Sequence, residues 1–489
     1  MSTPLSVQDV TERFGGFAET VDVLVVGYGC AGAAAAQEAV KAGASVLVLE
    51  RASGPGGSSG QSGGELYLGG GTALQTACGF SDDPDNMYNY LSAALGPYAD
   101  TEKIRVYCDG SPEHYDWFVS QGLEFKPSHY DSPTWMPFSD DGLMWLGENA
   151  WPYNELARAV PRGHRTTTPG FGGRTIMKAL VATADELGVR RVEDTRATAL
   201  VLDGERVVGV VARRFGEDVA YGATKAVVLA TGGFVDNEEM LADHAPELIG
   251  HGKVSDGGDD GSGIQMAEAI GAATRRMSVV EAAYTATPAL IVRGMLVNGR
   301  GERFLNEDVY PGLWSHAALH QPGPCWVIVD EQGFTEVSDA DMMGVRPHFA
   351  AETIEELEEE IGMPAGTLAH TVASYNAAAA ADGTDPVFHK DPKWVRELEG
   401  PFIAIDPRKG FFEGSGVEVS PTGFSGFTLG GLATTVDGEV KRVAGGLVPG
   451  LFAVGRASAG MHGHGYISGT SLGDGTFFGR RAGRAAAAL

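Results

Sequence analysis

Three glycines and one acid carry the first chemistry of this chain. Gly27, Gly29 and Gly32 close the stretch V-D-V-L-V-V-G-Y-G-C-A-G (Val21 to Gly32), after a strand-forming run and before an Ala-rich segment reaching Ala42. Glycine at those places gives a tight turn, lets the backbone approach a pyrophosphate, and lets a helix pack closely on the strand. Amides at the helix start then face phosphate charge. A second apolar run, Ser45 to Leu49, ends in Glu50, an acid placed to accept hydrogen bonds from a ribose. With 70 glycines in the chain a triplet alone carries little, but two strands and an acid at the right separation read as a dinucleotide site. A glycine-rich turn that binds nothing leaves Glu50 without a role.

Further loops extend the site. P-G-G-S-S-G-Q-S-G-G (Pro55 to Gly64) follows Glu50 almost directly and can lay amides and hydroxyls along a cofactor. No separate domain follows it, so a cofactor loop fits better than a flexible linker. Thr198 to Leu202 and Val207 to Val211 flank Asp203-Gly204 and read as β-structure, and a third run from Ala226 ends in Thr231-Gly232-Gly233. Gly257 to Ala272 is another glycine loop opening a helix. Glycine punctuation thins near residue 275 and returns from about 416. The expected organisation is a short tail (1–20), a nucleotide-binding domain in two parts (21–275 and 416–489), and a second domain (276–415) inserted between them.

The inserted domain contains L-V-N-G-R-G-E-R-F-L-N-E (Leu296 to Glu307) and a helix starting at Thr353, with Glu356 completing a capping box. Ile354, Leu357 and Ile361 form that helix's apolar side, so the glutamates at 355–360 are expected on its solvated face. Residues 112–153 hold Trp117, Trp135, Trp145 and Trp151, with little periodicity between Phe125 and Tyr153. This aromatic stretch reads either as the wall of a pocket for a large apolar ligand or as a satellite core.

Composition narrows the partners. A chain of 489 residues with 43% hydrophobic content reads as a soluble globular protein of two or more domains. No apolar run reaches the length of a membrane span, and the N-terminus lacks a basic segment followed by an apolar one. A cytoplasmic protein without stable membrane insertion is expected. A net charge of −28 argues against nucleic acid and anionic membranes. The four cysteines have no paired spacing, so neither disulfides nor a metal site is expected, and Cys30 fits its turn as a small residue.

Taken together, the motifs resemble the flavoprotein family containing fumarate reductase and succinate dehydrogenase flavin subunits and the 3-ketosteroid dehydrogenases. Besides the fingerprint and the G-G-S-S loop, the matching segments are A-T-G-G (Ala230 to Gly233), G-x-R-F-x-N-E (Gly301 to Glu307), T-L-G-G-L (Thr428 to Leu432) and G-L-F-A-V-G (Gly450 to Gly455). They run in the family's order over nearly the whole chain. The resemblance implies an α/β fold, a Rossmann-like FAD-binding domain of glutathione-reductase type with an inserted α+β capping domain. It implies FAD held by Gly27, Gly29, Cys30, Ala31 and Gly32 of the fingerprint, and by Glu50 and Arg51. Gly57, Ser58, Ser59, Ser62, Gly63 and Gly64 of the second loop join them, as do Ala197, Ala230, Thr231, Gly232 and Asp260. Gly455, Arg456, Ser471 and Leu472 complete the set. No His-Thr attachment motif stands in the loop at 58–64, so the FAD is expected to be non-covalent.

The family carries out several reactions, and the residues discriminate among them. Fumarate reduction needs cations for two carboxylates and an arginine that delivers a proton. No arginine occurs between Arg303 and Arg346, and the segment where dicarboxylate enzymes carry an Asn-Arg clamp reads Gly465-Tyr466-Ile467-Ser468. Little else replaces the bidentate guanidinium on a carboxylate. In an extended segment Tyr466 and Ser468 point to the same side. Such a hydroxyl pair suits a neutral ketone: one donates to the carbonyl oxygen while the other takes the acidified proton next to it.

This pattern is similar to that of the 3-ketosteroid dehydrogenases. The Δ1 enzymes read Tyr-Pro-Gly-x-Gly here, whereas Tyr-Ile-Ser-Gly-Thr favours the Δ4-(5α) branch. The resemblance implies that Tyr466 polarises the C3 carbonyl, Ser468 takes the C4 proton and flavin N5 receives the C5 hydride. Serine is a poor base alone. Tyr310 stands where these enzymes carry a second catalytic tyrosine, with His316 and His320 as fallback partners. The expected substrate is an apolar, steroid-like ketone, and the electron acceptor is left open. Competing readings are a Δ1-dehydrogenase, a flavin-dependent reductase of another activated alkene, and a flavin-binding protein without catalysis.

Overall fold

The computed structural model describes residues 3–409 and 420–489. The expected boundary at 415–416 lies outside the described residues.

The run before Gly27 forms a strand, β1 (Glu19–Val26), and the Ala-rich segment forms α1 (Cys30–Lys41), with β2 (Val46–Leu49) following. The chain returns to this sheet as β3 (Arg190–Val192), β4 (Thr195–Asp203), β5 (Arg206–Arg214) and β6 (Glu217–Leu229). β6, β1, β2 and β3 lie side by side in parallel register. β4, β5 and β6 form an antiparallel meander whose first turn is at Asp203-Gly204.

Residues 3–20 are more than the expected tail. Leu5–Ser6 pairs parallel with β4, and the helix Val7–Phe14 carries a Ser6/Asp9 capping box and buries Val10 against the sheet. Val10 supplies an anchor too short to stand out as periodicity.

The inserted domain is built on a four-stranded antiparallel sheet of Met295–Val297, Trp326–Asp330, Phe402–Ile405 and Phe349–Ala351, in that spatial order. The Thr353/Glu356 capping box forms as expected. Glu358 departs from the expected solvated face. It is buried, and its carboxylate accepts the amides of Gly366, Leu368 and Ala369 at the start of the next helix. Amides left without partners in a helix's first turn attract an acid that helical spacing alone assigns to solvent.

Two strands join the domains. β7 (Val280–Tyr284) leads toward α2 (Pro311–Leu319) in the inserted domain, and β8 (Phe424–Thr428) returns antiparallel to β7. The chain then re-enters the main sheet as β9 (Leu447–Ala453), parallel to the second half of β6, and ends in α3 (Thr470–Ala487). α3 crosses α1 at very close range: a Cβ at Gly479 would lie 2.6 Å from the Ala31 carbonyl oxygen, and one at Gly483 would lie 2.2 Å from that of Ala35. The alanines of α1 and the glycines of α3 are thus one packing solution, with the starts of both helices on one side of the sheet.

Candidate active site

A cavity of about 580 Å³ runs from the fingerprint turn to the junction of the domains. Of the residues expected to hold the cofactor, all but Gly32 line it. Gly32 lies behind, where a Cβ would sit 2.1 Å from the Gly27 carbonyl oxygen, so its place is the close helix–strand packing. Gly27 has φ +101°, and a Cβ there would lie 2.3 Å from the Ala230 carbonyl oxygen. The Glu50 carboxylate accepts the Tyr28 and Ala52 amides at 2.7 and 2.8 Å, one on each oxygen. Burial pushes its pKa up, opposed by those two amides. Glu50 lines the cavity, and its remaining lone pairs suit ribose hydroxyls.

The residues present fit a flavin dinucleotide. Thr231 Oγ1 and Arg456 Nη1 are buried with no protein partner among the described residues, and both residues line the cavity. The same Arg456 reaches Asp259 with Nη2 at 2.6 Å, which fixes the guanidinium while leaving one edge for a ligand. Arg51 and Arg196 converge on Asp260 at 3.1 and 2.8 Å. Gly469, with φ +85°, opens α3, whose first-turn residues Ser471 and Leu472 line the cavity, the Ser471 amide donating to the Tyr466 hydroxyl.

The chemical end lies where the domains meet. Tyr310, the residue before α2, and Ser468, in the loop before α3, share a hydrogen bond of 2.8 Å between their hydroxyls. Tyr466 stacks on His462 at 5.4 Å between centroids and meets the edge of Phe427 at 5.3 Å. Both tyrosines are buried, and burial holds both hydroxyls protonated far above the usual tyrosine range. His462 bonds Thr470 at 2.8 Å, and burial drives its pKa down to about 3, so it stays neutral.

The structure thus gathers Tyr310, Tyr466 and Ser468 around one end of the cavity. His316 and His320 are outside it and face each other, with the His320 ring on the His316 carbonyl at 2.9 Å. Of the four tryptophans in 112–153, only Trp135 lines the cavity, beside Met136, while Trp145 packs on Phe80 and His129. The aromatic stretch is therefore a pocket wall at 135–136 and a small aromatic cluster at Trp145, while Trp117 joins the main core beneath α1.

Sequence reasoning missed four cavity acids, Glu65, Asp256, Asp259 and Glu281. Glu65 is ion-paired with buried Arg165 at 2.5 Å, and Asp259 with Arg456. Glu281 had a visible signal, a lone acid in the apolar strand run Val279 to Ala283.

Fold and cradle together define a flavoprotein oxidoreductase with FAD as its dinucleotide. The chain belongs to the FAD binding domain family, whose sequence profile matches residues 22–472. It is similar to the crystal structure of 3-ketosteroid-delta4-(5alpha)-dehydrogenase from Rhodococcus jostii RHA1 in complex with 4-androstene-3,17-dione, with 48% identity, a TM-score of 0.92 and 99% of each chain covered. A probable fumarate reductase of Shewanella frigidimarina is 30% identical over 96% of this chain and 76% of its own length. A 3-oxosteroid 1-dehydrogenase of Mycolicibacterium smegmatis is 27% identical over 91% and 93%. No helix among the described residues is long and apolar enough to cross a membrane.

Proposed function

We propose that this enzyme introduces the C4–C5 double bond into 3-keto-5α-steroids, with Tyr466, Ser468 and Tyr310 as its catalytic residues. The observation that carries the reading is the Tyr310–Ser468 hydrogen bond beside Tyr466, inside a cavity with the aromatic walls Trp135, Phe171 and Phe427. Its similarity to the Rhodococcus jostii enzyme supports the regiochemistry.

Tyr466 donates its hydroxyl hydrogen to the C3 oxygen and stabilises the enolate as it forms. Ser468 Oγ takes the C4 proton while passing its own hydrogen to Tyr310, which in turn releases its hydroxyl proton to water, and this answers the weakness of serine as a lone base. Bound FAD supplies the acceptor for the C5 hydride. Apolar walls exclude water from the developing charge.

Dicarboxylate chemistry is disfavoured on charge grounds. The arginines lining the cavity, Arg51, Arg196 and Arg456, are each tied to an aspartate, and none lies among the hydroxyls.

Anaerobic mixing of the yellow enzyme with a saturated 5α-3-ketosteroid tests the reading. Flavin bleaching with a new C4–C5 double bond is the expected result. A C1–C2 double bond would move the assignment to Δ1 chemistry, and no bleaching would move it to another ketone or alkene.

A further inference from the structure

Glu281 has no place in the chemistry so far, yet it stands beside it. It projects from β7 into the cavity directly across from Phe427 of β8, whose ring packs on Tyr466. A methyl added at Gly312 would lie 2.3 Å from Tyr310 Cε1 and 2.5 Å from Glu281 Oε1, so the carboxyl rests against the Tyr310 ring. It is 4% exposed and has no hydrogen bond or ion pair among the described residues. A buried acid without a partner is costly to keep and asks for a reason.

We propose that Glu281 is the proton-accepting end of the relay that begins at Ser468 and passes through Tyr310, a cavity water closing the last gap. This rests on the ketosteroid reading above. The C4 proton moves to Ser468 Oγ, the Ser468 proton to Tyr310 and the Tyr310 proton through the water to Glu281. The C4–H electron pair becomes the new C4–C5 π bond, and the C5–H pair leaves as hydride to FAD. As the enolate oxygen gains charge under Tyr466, Glu281 loses its own, so two anions never face each other across Phe427.

Burial alone pushes the Glu281 pKa well above the carboxylate range, with nothing opposing it, which makes its anion a strong base. The charged groups around it are few. Tyr310 and Tyr466 feel its charge, and Glu65, held by Arg165, adds a smaller one to both. Lys253 at the cavity edge is tied to Glu238, and β8 brings no titratable side chain. His316 on α2 responds to His320 and His464.

Glu281→Gln, nearly isosteric, tests this with the flavin-loaded enzyme. Turnover of a 5α-3-ketosteroid by the native enzyme should rise with pH through one ionisation above the ordinary carboxylate range. The variant should bind flavin and melt as the native enzyme does, lose that limb, and turn over about 10²-fold more slowly. Glu281→Asp should restore the limb at a reduced rate. Infrared titration of the steroid-free holoenzyme should show a protonated carboxyl band that Glu281→Gln removes. Equal rates and pH profiles in native enzyme and Glu281→Gln would overturn the inference. A native enzyme that turns over no ketosteroid would instead overturn the reading it rests on, and the infrared band would then report Glu281 by itself.

Discussion

Tyr310 and Ser468 hold their hydroxyls 2.8 Å apart although 158 positions separate them in the chain. One belongs to the inserted domain and the other to the FAD-binding domain, so the pair exists only when the two are docked. If the two act as one relay, Tyr310→Phe and Ser468→Ala should each slow flavin reduction by about 10²–10⁴-fold. The double variant should be no slower than the worse single one, as for groups that work as a unit. Stopped-flow absorbance under anaerobic conditions measures all three, and additive losses would assign the two residues separate jobs.

Tyr466→Phe should keep the flavin and lose about 10²–10³-fold in rate, the usual effect of removing one oxyanion donor. The expected loss is the same at every assay pH. Burial holds this hydroxyl protonated, and neighbouring His462, with a pKa near 3, does not titrate in that range either. A rate–pH profile of Tyr466→Phe divided by that of the native enzyme should therefore be flat.

Gly27→Ala should yield a colourless protein. The position needs φ +101°, and the added carbon would lie 2.3 Å from the Ala230 carbonyl oxygen, pushing apart the strand ends that cradle the dinucleotide. Gly204→Ala is the matching control, at a hairpin tip with φ +59° and open space around it. It should cost about 1–2 kcal/mol of stability and retain full flavin absorbance. The ratio of flavin to protein absorbance reads both.

Acid stability should depend on the buried cluster around Glu307, whose carboxylate meets Arg303 at 2.6 Å and Lys390 at 3.2 Å. Burial raises its pKa, but Lys390 and Arg303 outweigh this and hold it below the usual 4.5. A lowered pKa means stability fully present above the unfolded value and lost as the pH falls through the folded one. Glu307→Gln should therefore destabilise by about 3–5 kcal/mol at neutral pH. Denaturant titrations should show this gap narrowing as the medium is acidified below 4.5.

Much of the site was legible because its demands are local. A turn that must admit a pyrophosphate requires glycine at fixed offsets from a strand, and Gly27, Gly29 and Glu50 state that in one short stretch. The Asp203-Gly204 turn and the Thr353 cap were legible for the same reason, since a turn or a cap is satisfied by residues a few places away. Tyr466 and Ser468 could be paired because an extended segment puts alternate residues on one side, and in the loop before α3 both line the cavity.

What the chain order left open was every relation that crosses it. The partner of Ser468 could be narrowed to Tyr310 or to His316 and His320, and only the packing of α2 against β7 turned the tyrosine inward and the histidines away. Glu358 looked solvated by helical spacing, yet the next helix buried it on its own free amides. Glu281 could be seen as an oddity but not given neighbours. Its surroundings come from β8 and Gly312, segments brought beside it by the return of the chain. By itself the sequence determined the cofactor cradle, because backbone conformation at a turn is a property of a few adjacent residues. Only the tertiary structure decided which side chains share protons, because a hydrogen bond depends on sub-ångström placement of groups that folding alone brings together.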